Sequence, residues 1–355
     1  MAAQGLTDAA ESAGPAGRLA RAPALSSLAA LAALADLAWN RIGLRLVDPT
    51  HREVWIPMVR HGRVLRNLAG VSGLVAALTA TFVFLKMAGF ARLSWHGLLL
   101  RLSVAVVAGL HLPAVALTLV TPRERVPSLV LVLGLVSANA LVALLAVPSL
   151  SYRRVGPAWA SMMAGLAALL AMIGLLVAST RAMWGTSPIA WAGIVARHGG
   201  ELAWSLTPAT LLFDPELRQR ARDHRGATAL AVVAALAVVG LGLWAQAHHG
   251  SASARLIYGA FRLASLPADA TFLYAVPIGV GLGLALLHLL TRERRQLGWG
   301  LLLWIAAGLA PRTPIGTLYE VLAALLLARA AQAAHPEGRA RAAEPWGRPA
   351  FDPES

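Results

Sequence analysis

Along this chain the apolar residues fall into blocks of roughly 15–25, separated by short stretches rich in Arg, Gly and Pro. That is the length a helix needs to cross a hydrocarbon layer of about 30 Å at 1.5 Å per residue, with its backbone N–H and C=O groups satisfied internally. The blocks show no ten-residue alternation of apolar and polar positions, which excludes a transmembrane β-barrel. The expected fold is therefore all-α: a polytopic integral membrane helix bundle of about eight spans, within a range of roughly six to ten.

Composition removes the soluble alternative. The chain is 57% hydrophobic and only 14% charged, with a mean hydropathy of +0.64. A soluble domain carries about 25% charged residues. The net charge is +14, from 31 basic and 17 acidic residues. Such an excess can signal a nucleic-acid partner, but basic residues also crowd the cytoplasmic loops of multi-span proteins. No nucleic-acid partner is expected; the lipid bilayer is, with further membrane subunits or a second copy of the chain as protein partners. Lys86 is the only lysine. With the Ala, Leu, Gly and Arg bias it points to a GC-rich bacterial genome, hence to a bacterial inner membrane. Cysteine is absent, which removes disulfides, thiolate metal sites, iron–sulfur clusters and Cys nucleophiles together.

Three regions are expected: a disordered tail over 1–23, a transmembrane helical domain over 24–333, and a disordered cytoplasmic tail over 334–355. Clean spans fall at 67–85, 102–120, 127–148, 157–180, 227–247 and 270–290. Gly279, Gly281 and Gly283 give the last of these a small-residue face for close packing; no strand precedes them, so they are not a phosphate loop. Segment 24–47 resembles an uncleaved signal segment, because no small-x-small site follows it; whether it crosses is open. Segment 297–328, split by Pro311, Arg312, Thr313 and Pro314, reads as two short spans or a hairpin.

Segment 186–213 is apolar at both ends but carries Arg197, His198, Gly199, Gly200 and Glu201 at its centre. A Gly pair weakens a helix, and ionisable groups at mid-membrane are costly. Two half-helices, 188–198 and 201–213, meeting at the Gly pair would relieve both problems. Charge placement favours this. If neither 24–47 nor 186–213 crosses, 23 Lys/Arg lie on one side and 8 on the other; if both cross, the split is 18 to 12 with Arg197 in the membrane. The expectation is a re-entrant or interfacial hairpin at 186–213 on the cytoplasmic side, with a cytoplasmic C-terminus.

Arg197, His198 and Glu201 stand at helical spacings of three and four, so they share a face. Broken helices with polar groups at the break are where transporters build solute and ion sites. The competing reading is a structural Arg–Glu pair at the interface. His111, in mid-span before Pro113, is a candidate for a proton relay or haem ligation, or a histidine bonded to a neighbouring helix. A b-type haem needs two His at matching depth on different helices. His111 is central whereas His288, His248 and His249 are near faces, so no cofactor is expected. Ser137 and Asn139 read as interhelical hydrogen-bonding residues, and Asp36 and Glu320 are further acids within apolar blocks.

No His-Glu-x-x-His, Gly-x-Ser-x-Gly, Walker loop or Asp-rich prenyl-transfer motif is present. Lys86 is at a span end, which argues against a retinal Schiff base. Several Trp residues, among them Trp159 and Trp244, border spans as an interfacial belt does. The leading functional expectation is movement of a small solute or ion, secondary or passive, along a path lined by Arg197, His198, Glu201 and His111. The alternatives are a non-catalytic scaffolding subunit of a larger membrane complex, and a membrane-embedded enzyme or electron carrier using His111 and His198.

Overall fold

The computed structural model of the 355-residue chain describes residues 15–44, 47–87, 95–121, 126–152, 155–184, 188–248, 271–292, 294–309 and 314–334. Among these there is no strand. The helices are α1 (Pro15–Leu37), α2 (Arg52–Met87), α3 (Trp95–Val120), α4 (Ser128–Ala146), α5 (Gly156–Trp184), α6 (Pro188–Ala209), α7 (Pro215–Asp223), α8 (Arg225–Ala247), α9 (Thr271–Leu290), α10 (Arg295–Leu309) and α11 (Pro314–Ala334). A π-helical turn, Ala38–Gly43, continues α1, and 3₁₀ turns follow α4 and α6. Helix α1 reaches back into the tail expected over 1–23. Residues 1–14 and 335–355, which hold most of the two expected tails, lie outside the described residues.

Six helices are long and apolar enough to cross a membrane: Arg52–Phe82, Leu98–Val120, Ser128–Ser151, Gly156–Ala178, Arg225–Ala245 and Gly316–Ala334. Leu25–Asn40 and Ala275–Leu290 are shorter apolar helices. The chain is a membrane-embedded all-helical protein. Many large apolar side chains point outward, such as Leu68, Val106, Leu129, Val195 and Leu236. Water would not tolerate that many, whereas lipid does.

Neighbouring helices approach closely where small residues face them. Gly70 of α2 faces Leu119 of α3, and Gly165 of α5 faces Ala146 of α4. Gly279 and Gly283 of α9 face Ala235 and Ala231 of α8, as expected of that glycine-rich face. Gly298 of α10 faces Ala285 and Leu289 of α9, and Gly300 faces Leu326 of α11. Helix α11 is the axis of the bundle. Its apolar window is 78% buried against 11% for α8 at the edge, and it packs on α2, α4, α5 and α10. Segment 297–328 thus contains two separate helices, the second of them central.

The break expected at Gly199–Gly200 is absent: α6 is one helix of 22 residues, about 33 Å long. The two glycines serve packing. A Cβ on Gly200 would stand 3.1 Å from the Ala167 carbonyl oxygen and the Ala171 nitrogen of α5. A Gly costs a helix about 1 kcal/mol of propensity, and close backbone contact with α5 offsets it. Toward its start, Gly193 meets Val177; beyond its end, Asp214 meets Gly156. The segment therefore runs the whole length of α5 instead of turning back on itself, and Asp214 finishes at the end of the bundle where α5 begins. The start of α2 consequently lies at the end of the bundle opposite to α7, whereas the hairpin expectation put residues 50–66 and 214–226 on one face.

Helix boundaries follow local chemistry. Asp214 caps α7 by accepting the Glu216 amide, with Pro215 in the first turn. In the loop before α2, Asp48 accepts the Thr50 amide at 2.9 Å, which holds its carboxyl below the usual range.

Candidate functional site: a polar cleft inside the bundle

Two stripes of the sequence build a cleft. On α5, Ala167, Ala171, Gly174 and Ala178 recur at helical spacing and form a wall with almost no side chain. On α6, Gly193, Arg197, Gly200 and Trp204 recur likewise. The small residues let the helices approach closely, and the long ones then reach past the contact. A cavity of about 260 Å³ lies beside this seam, closed by Asn139 of α4, Trp304 and Gly308 of α10, and Glu320 of α11.

Within it, Arg197 Nε stands 3.7 Å from Glu201 Oε1, with the Arg197 side chain 43% exposed and that of Glu201 11%. His198 Nδ1 lies 3.2 Å from the other carboxylate oxygen. The imidazole is itself exposed and is not among the cleft-lining residues; it holds Glu201 from the flank. The carboxylate is thus gripped from two sides on one helix face, as the spacing implied, but halfway along a continuous helix. Asn139 is buried and donates to the Leu135 carbonyl at 2.8 Å. The floor is aromatic: Trp204 and Trp304 stack with centroids 6.0 Å apart, and Trp304 Nε1 donates to the Trp204 carbonyl at 3.2 Å. Gly308 must lack a side chain because the Trp204 ring occupies that space.

His111 is elsewhere. It is fully buried between α3 and α4, and its Nδ1 lies 3.1 Å from the Gly134 carbonyl oxygen. That acceptor selects the tautomer with the proton on Nδ1. Nε2 is buried with no hydrogen-bond partner among the described residues. Ser137 also donates to Gly134, and to Leu133. Of the four path residues expected from the sequence, then, the cleft collects Arg197 and Glu201, His198 touches it through Glu201, and His111 is apart from it.

The remaining candidates have structural surroundings. Asp36 is buried, accepts Asn40 Nδ2 at 2.5 Å and lies 3.8 Å from Arg66. Asn40, on the π-turn, also donates to Gly62, and Trp39 donates to Met58, so this turn locks α1 onto α2. His288 receives a hydrogen bond from Arg220 at 3.2 Å, and His248 stacks on Trp244 at the surface. His249 lies outside the described residues. Among the described residues no three His, Asp or Glu side chains converge as metal ligands.

Sequence reasoning missed Glu320 and Asn139 as partners of the Arg197 cluster, and missed the stacking of Trp204 on Trp304. The small-residue stripe on α5 was the available signal, since it marks where α6 can approach. Nothing in the sequence pointed to α4, α10 and α11 as the other walls.

The fold and cleft together define an all-helical membrane-embedded protein with a charged cavity inside its bundle. No protein family, curated protein or solved structure matches the chain.

Proposed function

We propose that the chain moves a small solute or ion across the bilayer by secondary or passive transport, through the cleft holding Arg197 and Glu201. The observation that carries this reading is the placement of ionisable and amide side chains around a cavity of about 260 Å³ within a membrane-embedded bundle. Charges in such a setting are costly unless paired or wetted, so a chain that keeps Arg197, Glu201 and Glu320 around an open volume is using that volume. Arg197 and Glu201 contact the solute, Asn139 and Glu320 complete its surroundings, and His198 orients Glu201. His111 acts at the α3–α4 seam instead of in the path.

The membrane we assign is a bacterial inner membrane. Taking 24–47 and 186–213 both as crossings, the sequence divides its Lys/Arg 18 to 12 between the two sides, with Arg197 within the membrane. The richer end is the one holding α7 and the end of α11, and the positive-inside rule puts it and the C-terminus in the cytoplasm.

The test does not require knowing the solute. The chain has no native cysteine, so Ala171→Cys places a single thiol on the cleft wall. In proteoliposomes a water-soluble, membrane-impermeant thiol reagent should modify it, whereas Val106→Cys on the lipid-facing side of α3 should stay unlabelled. A thiol at position 171 that never reacts from either side would mean a dry cavity and would sink the transport reading.

A further inference from the structure

A second cleft, of about 580 Å³, opens at the end of the bundle where α9 and α11 finish. It lies between α7, the start of α10 and the last turn of α11. Four arginines line it (Arg220, Arg292, Arg294 and Arg295), with Glu216 as its one acidic lining residue. Ala330, Ala333 and Ala334 form the facing wall and leave the volume open.

The four arginines are of two kinds. Arg220 and Arg294 are set in place. Arg220 is buried, with Nη1 3.2 Å from His288 Nδ1 and Nη2 3.8 Å from Glu216. Arg294 donates to Asp214 Oδ2 at 2.9 Å and pairs with Glu216. Arg292 and Arg295 are exposed, and among the described residues neither meets a carboxylate. Among the described residues these four guanidinium groups share two carboxylates, Asp214 and Glu216, around an open space; Glu293, between Arg292 and Arg294, lies outside the described residues.

We propose that this cleft binds a phosphate-bearing anion. Guanidinium forks match phosphate oxygens in pairs, and such charge-assisted bonds are the stronger kind. Holding Arg220 and Arg294 in advance reduces the ordering cost of binding, and the two exposed arginines add guanidinium donors that no described carboxylate occupies. At this end of the bundle the phosphate can come from a lipid headgroup or from a soluble phosphate compound; the chemistry at the cleft is the same. The site is separate from the cavity around Arg197 and does not depend on transport.

Detergent-purified full-length protein would be titrated with phosphatidylglycerol, with an uncharged phosphate-free galactolipid, and with inorganic pyrophosphate. Native mass spectrometry reads bound lipid, and tryptophan-fluorescence melting reads stabilisation. The expected result is binding of phosphatidylglycerol over the galactolipid. Added melting stability with pyrophosphate identifies a free phosphate group as sufficient, and a response to phosphatidylglycerol alone identifies a lipid headgroup. Arg292→Ala with Arg295→Ala should weaken binding at least about tenfold while leaving the ligand-free melting temperature unchanged. Arg60→Ala with Arg63→Ala, exposed at the other end of the bundle, should bind as wild type. Should the alanine pair melt early, Arg292→Lys with Arg295→Lys keeps the charge and loses the fork, and weaker binding is again expected. Equal binding of galactolipid and phosphatidylglycerol, no binding of either phosphate probe, or wild-type affinity in the arginine variants would overturn the proposal.

Discussion

Asp214, just past the last turn of α6, packs onto Gly156, the first residue of α5, so closely that a side chain at position 156 would collide with the carboxylate. The same carboxylate caps α7 and receives Arg294 from the start of α10. One acidic residue therefore ties four helices together at one end of the bundle, and it can do so only because α6 runs the full length of α5.

The first prediction concerns that path. Single cysteines at Gln219 and Ser151 should label from the same side of the membrane with an impermeant reagent, and one at Thr50 from the other side. All three positions are exposed. Labelling of positions 50 and 219 from one face would restore a hairpin at 186–213.

Close packing of α5 on α6 sets the second. A Cβ on Gly174 would stand 3.1 Å from the Cβ and 3.2 Å from the backbone nitrogen of Arg197. Backbone cannot move aside as a flexible side chain can, so Gly174→Leu should cost about 1–3 kcal/mol, as overpacking does. Gly240 of α8 has nothing within 4 Å, and Gly240→Ala should be neutral or stabilising by up to about 1 kcal/mol. Thermal melts in detergent read both. A Gly174 variant as stable as wild type would show that the seam is looser than drawn.

The charged pair supplies the third. Arg197→Met takes the guanidinium from Glu201 while His198 stays beside it, and Glu201→Leu leaves a half-exposed Arg197 side chain. Because the Arg197 side chain is partly exposed, each loss should fall below the roughly 3–5 kcal/mol of a fully buried broken pair. The double variant should recover part of the summed cost, with a coupling of about 0.5–3 kcal/mol. If the pair only holds α6, the double variant keeps its flux in proteoliposomes. If it contacts the solute, the double variant folds, carries no flux, and His198→Gln is impaired too. Single variants as stable as wild type would show both groups to be merely solvated.

Much of the fold was legible because the membrane imposes its own rules. Spans 102–120, 127–148, 157–180 and 227–247 match helices to within a few residues, since a bilayer demands long apolar runs and the chain supplies them. Segment 186–213 was misread for a physical reason. Glycine and charge at mid-segment are unfavourable in isolation, and only a neighbour can change that. The neighbour is the stripe of Ala and Gly on α5, which turns two glycines into contact points and gives Arg197 and Glu201 a cavity to line.

The sequence by itself determined that this protein is all-helical and lives in lipid, and it determined that Arg197, His198 and Glu201 share one helix face, because both follow from spacing along a single element. Only the tertiary structure decided that α6 runs unbroken beside α5, that α11 is the axis, and that Asn139, Trp304 and Glu320 meet the cluster while His111 does not. Those outcomes depend on contacts between helices up to about 180 residues apart in sequence, and helix periodicity carries no information about which neighbour a face will meet.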